Sequence, residues 1–173
     1  MDSQNSNNRL KQQIQLLRSS NRAAILDTLK ELRSEGDVSV LPDLFNLMLL
    51  QEDQEILDEI AALLNDLKDK EAAEILAEAI ANPEYQEIQT SLVAACWQNG
   101  LSYGKHIATF AEVAVSGDYS AAIEAFTVIE ETVGELEQEE RVQLVRSLKS
   151  KLTEVEEQKK PLFVELVKVI ESY

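Results

Sequence analysis

Ten helix-length amphipathic segments follow one another along this chain and pair into hairpins of nearly constant length. The hairpins start near Asn8, Val38, Asp69, Ser102 and Leu136, so successive starts lie 30, 31, 33 and 34 residues apart. One such hairpin has too little apolar surface to fold by itself, but stacked neighbours can share a continuous interior. The spacing therefore predicts an all-α fold, an α-α solenoid of about five antiparallel hairpins over residues 8–36, 38–67, 69–99, 102–133 and 136–173. At ~8–10 Å per packed layer, the solenoid is expected to be right-handed or gently curved and about 40–50 Å long. The polar stretch 1–7, MDSQNSN, is expected to be a disordered terminus.

Within the hairpins the apolar residues recur at helical spacing. Leu41, Leu44, Phe45 and Met48 form an i, i+3, i+4, i+7 stripe, and so do Ile56, Ile60, Leu63, Leu64 and Leu67. Comparable stripes are Leu10-Ile14-Leu17, Ile25-Leu29-Leu32, Ala72-Ile75-Leu76-Ala79-Ile80, Ile88-Leu92-Ala95-Cys96, Ile107-Phe110-Ala111-Ala114 and Ala122-Phe126-Ile129-Val133. The last pair reads Val145-Leu148-Leu152-Val155 and Phe163-Leu166-Val167-Ile170. Helix stops and starts fall between them. Ser19-Ser20-Asn21, Asp37, Asn82-Pro83, Ser102 and Asp118 supply caps, and Gly36, Gly100, Gly117 and Gly134 supply ends. No segment has the period-two alternation of a half-buried strand.

The chain has 173 residues, five glycines, three prolines and 5% aromatics, which does not suit a turn-rich β sandwich or barrel. No apolar run approaches the ~18 residues that span a bilayer, and 1–8 lacks a signal-peptide pattern. A lone cysteine, Cys96, cannot close an internal disulfide and suits a reducing compartment, so a cytoplasmic location without membrane association is expected. The formal charge of −16 is unevenly spread: residues 1–36 carry +2, 37–140 carry −20 and 141–173 carry +2. An acidic centre repels phosphate backbones and attracts cationic surfaces, which excludes nucleic acid as the expected partner. A simpler reading of the same charge is a solvated exterior that maintains solubility.

The three central hairpins overlay. Asp53-Gln54-Glu55-Ile56, Tyr85-Gln86-Glu87-Ile88 and Tyr119-Ser120-Ala121-Ala122 open their second helices at offsets of 32 and 34, and Leu64, Cys96 and Glu130 follow at the same offsets. Together with the hairpin length, the Leu41-Pro42-x-Leu44 start and the Ile56-Leu57-x-x-Ile60-x-x-Leu63-Leu64 stripe resemble a HEAT-type repeat of the armadillo-like superfamily. The stretch from Cys96-Trp97-Gln98-Asn99-Gly100 to Ala125-Phe126-Thr127-Val128-Ile129-Glu130 is similar to small bacterial HEAT-like proteins. Residues 38–133 carry the resemblance well and the end hairpins loosely. It implies an interaction scaffold and a concave side lined by the second helix of each hairpin.

Catalytic and metal-binding patterns are sparse. His106 is the single histidine, and it could pair only with Cys96, ten residues away, and nearby acids; two such ligands fall short of a closed zinc site. Glu55/Glu59, Glu74/Glu78 and Glu84/Glu87 share helix faces, as acid–base pairs do, but on an outer surface they read as solvated acids. Phosphate-binding glycine loops and a nucleophile elbow are missing. No cofactor or metal is expected.

On the second helices the positions turned away from the main stripes are Asp58, Ala61, Ala62 and Asn65; Thr90, Val93, Ala94 and Trp97; and Glu124, Thr127, Val128 and Glu131. Stacked, they give a ladder with small or apolar middles and acidic margins. In one reading Val93, Trp97 and Val128 receive an apolar side chain while Asp58, Glu124 and Glu131 meet its Lys or Arg neighbours. In the other, adjacent helices consume Ala62, Val93 and Val128 as lateral core. The leading expectation is a non-catalytic protein–protein interaction scaffold that binds a basic or amphipathic protein segment. The alternatives are a HEAT-like enzyme or cofactor-handling protein using His106, and a self-assembling protein. The last helix, with Val164 and Val169 outside its stripe, is a candidate homodimer contact.

Overall fold

The computed structural model describes residues 2–35 and 37–173. Ten α-helices make up the fold and no strand occurs among the described residues: α1 (Asp2–Leu17), α2 (Arg22–Glu35), α3 (Leu41–Leu50), α4 (Gln54–Asn65), α5 (Glu71–Ala81), α6 (Gln89–Asn99), α7 (Ile107–Ser116), α8 (Tyr119–Thr132), α9 (Gln138–Lys151) and α10 (Lys160–Glu171). α1 starts at Asp2, upstream of the expected Asn8. Gly36, expected to stop the second helix, lies outside the described residues.

Packing follows a simple order. Consecutive helices pair, α1 with α2, α3 with α4, α5 with α6, α7 with α8 and α9 with α10. The even helices also touch in succession, α2 to α4 to α6 to α8 to α10. Among the odd ones, α1 touches α3, α5 touches α7 and α7 touches α9, while α3 meets the 3-10 segment Pro83–Ile88. The stripes read from the sequence form the interior: one buried cluster runs from Leu17 through Leu44, Ile60, Leu76, Leu92, Phe110 and Ile129 to Ile170. Leu152 is the exception. It stays 37% exposed because α9 ends at Lys151 and the chain turns away.

Several polar ties between helix pairs span close to one repeat length. Arg22 pairs with Asp53 at 2.6 Å and also with Glu55, and Arg33 pairs with Asp66. Asn65 Nδ2 donates to Gln98 Oε1 at 2.7 Å, Lys68 Nζ to the Asn99 carbonyl at 3.2 Å, and Ser102 Oγ to Glu135. Each of these partners lies 31 to 33 residues from its mate. The basic first hairpin thus docks on acids of the second. The Asp53 carboxyl is held below its ordinary range by Arg22, whose guanidinium is raised in turn by Asp53 and then Glu55.

Several helix ends match their sequence signals. Asn21 Oδ1 accepts from Ala24 N, and Asp37, Asp53, Asn82 and Asp118 cap their segments in the same way. Gly100 takes the left-handed conformation, φ +67°, at the end of α6. Gly117 serves differently. Its backbone is extended, and a Cβ there would sit 2.6 Å from the Val113 carbonyl, so it is needed for a close approach. Ser102 does not cap α7: a 3-10 turn, Gly104–His106, intervenes, and the hydroxyl is turned to Glu135.

Candidate partner-binding face

α4, α6 and α8 touch in succession, and each leaves one side uncovered. Residues expected to line that side separate into two groups. Val93 and Val128 are 0% and 1% exposed, so they are lateral core and present nothing to a partner. Close packing of α6 on α8 buries them. This corrects their assignment as partner-binding residues. Asp58, Trp97 and Glu131 are exposed, and Glu124 is half-buried.

The register of this face is 33 residues. Asp58, Ser91 and Glu124 are separated by 33 and 33, as are Asn65, Gln98 and Glu131, and the Asn65–Gln98 hydrogen bond fixes the second row. Burial agrees: Leu63, Cys96 and Ile129, separated by 33 and 33, are all buried, whereas the offset of 34 leads from Cys96 to the exposed Glu130.

Trp97 and Glu124 meet. The indole Nε1–H donates to Glu124 Oε2 at 2.6 Å, and 41% of the tryptophan remains exposed. In the 33-residue register Trp97 stands beside the Gln98–Glu131 row, so the ring reaches back along α8 toward Glu124. That is the direction long helical side chains favour. Glu131 follows Glu124 seven residues on along α8, and Ile123 and Tyr119 of the same helix are exposed too, which the sequence stripes did not single out. Asp58 accepts from Gln54 Nε2 at 2.7 Å on α4. No Lys or Arg occurs in α4, α6 or α8. No protein-family model and no curated protein matches the chain.

Cys96 and His106 sit in different surroundings. Cys96 is buried, its Sγ–H faces the Leu92 carbonyl at 3.3 Å, and burial pushes the thiol up to about 12. Tyr103, raised by the same burial, bonds Asn99 and packs edge-on against Phe110 at 5.4 Å. His106 ends the 3-10 turn before α7 and is half-buried. Among the described residues no group of three or more His, Cys, Asp or Glu could hold a metal ion. No described helix is long and apolar enough to cross a membrane.

The far end of the chain carries a second uncovered surface. Clefts of about 500 and 250 Å³ lie along α9 and α10, lined by Val142, Val145 and Ile170 and by Leu152, Phe163 and Val164. Val142 and Val164 are exposed, and Val169 is half-buried.

Proposed function

We propose that this chain is a HEAT-like α-solenoid of five antiparallel hairpins that works as a non-catalytic, cytoplasmic docking scaffold for a basic, amphipathic protein segment. The successive contacts of the even helices and the ties at 31 to 33 residues support the stacked arrangement. The docking reading rests on one observation above all: an exposed tryptophan joined to a carboxylate on a face that has acids and no cations. Such a surface offers apolar area with a defined orientation and attracts positive charge. Asp58, Trp97, Glu124 and Glu131 are its contact residues, and Val93 and Val128 hold α6 and α8 together beneath them.

Affinity capture from native lysate tests the reading at low and high salt. Trp97→Ala and the double change Glu124→Lys with Glu131→Lys should each deplete the captured species, and raised salt should do the same. Identical profiles for all proteins at both salt concentrations would remove the proposal.

A second reading concerns the α9–α10 end. Exposed Val142, Leu152 and Val164 flank its clefts. We infer that a second copy of the chain covers these apolar side chains.

A further inference from the structure

We propose that the Trp97 face recognises a helical segment carrying two arginines seven residues apart, the first guanidinium stacked on the indole beside Glu124 and the second paired with Glu131. This inference rests on the docking reading above and specifies its ligand. Three observations carry it.

Trp97 has its N–H engaged by Glu124 and is still 41% exposed, so the ring is tethered at one edge while part of the indole is offered to solvent. A carboxylate at the N–H edge adds negative potential to the electron-rich face, so the seat suits a cation. The chain itself supplies none there. α4, α6 and α8 carry no Lys or Arg, and no ion pair involves Asp58, Glu124 or Glu131 among the described residues. Glu124 and Glu131 stand two helical turns apart on α8, about 10 Å at 1.5 Å per residue. Side chains at i and i+7 of a partner helix laid along α8 have that same separation.

Arginine fits better than lysine. Its guanidinium is flat and weakly hydrated, stacks on an indole and still presents N–H groups to a carboxylate, whereas an ammonium retains its water.

Trp97 is the only tryptophan, so its emission reports binding directly. The probes are three alanine-rich helical peptides, with two arginines seven apart, two lysines seven apart, or two arginines five apart. The first should shift Trp97 emission and bind at least about threefold more tightly than either of the others. Glu124→Gln keeps an oxygen for the indole N–H and removes the charge; it should reduce binding of both seven-spaced peptides. Glu131→Gln should abolish the spacing preference and leave the arginine preference. Equal affinity for all three peptides, with both variants still weakening them, overturns the arginine-pair inference while the docking face stands. No emission change with any peptide at millimolar concentration overturns both.

Discussion

Lys159 shows how much a single side chain can contribute here. It is 1% exposed, and its ammonium donates to the carbonyls of Val115 and Gly117 at 2.7 and 2.6 Å. These are carbonyls at the C-terminal end of α7, where intrahelical donors run out and the helix dipole favours positive charge. Lysine is seldom buried, and nothing in the Glu157-Gln158-Lys159-Lys160 run distinguishes this lysine from its exposed neighbour. Its role depends on a contact more than 40 residues away, which no local pattern encodes. Lys159→Met keeps the aliphatic stem but leaves two buried acceptors without a donor. The expected loss is about 3 kcal/mol of unfolding free energy, measured as a lower urea midpoint at unchanged slope. Lys160→Met, beside it at the protein surface, is expected to leave the midpoint within about 0.5 kcal/mol of the original. Val93 and Val128 illustrate the same limit: helical periodicity marked them as off-stripe, and only the lateral contact of α6 with α8 decides that they are buried.

Elements were far more legible. The i, i+3, i+4 stripes named the interior of nearly every helix because burying one side of an amphipathic helix is a local decision repeated along the chain. Asn21, Asp37, Asn82 and Asp118 were readable as caps for the same reason. The joints were harder. Pro83–Ile88 and Gly104–His106 form 3-10 turns where continuous helix was expected, and the middle of the three central repeats stands one residue later than the offsets of 32 and 34 placed it. Gly117 tests the joint between α7 and α8. Gly117→Ala places a methyl 2.6 Å from the Val113 carbonyl and 3.1 Å from the Ala121 side chain, so backbone must move. A loss of about 1–2 kcal/mol is expected by thermal or urea unfolding. At Gly100 the space is open and only the left-handed backbone resists, so Gly100→Ala should cost about 1 kcal/mol.

For the whole molecule, the helical periodicity gave the all-α class, while the surfaces depend on contacts between helices far apart in sequence. The acidic centre was visible as a sum, but the pairing of Trp97 with Glu124 depends on which turn of α8 lies opposite α6. The apolar α9–α10 end has a direct test. Light scattering should show an average mass that rises from monomer toward dimer with protein concentration, and Val164→Glu should return the chain to monomer by placing a charge in the contact. A strict monomer at high concentration would remove the second-copy reading.

The ties between neighbouring helix pairs differ at each junction: guanidinium to carboxylate at the first, amide to amide and ammonium to carbonyl at the next, indole to carboxylate at the third and ammonium to carboxylate at the fourth. Shuffling the units would mismatch them. At the 33-residue register, excising the second helix pair would set Gln86 in the place of Asp53 and Asn99, at the end of α6, in the place of Asp66, so Arg22 and Arg33 would lose their carboxylates. The contacts are keyed like a combination lock, so although the helix pairs share a length, the order in which they pack is written into the chain.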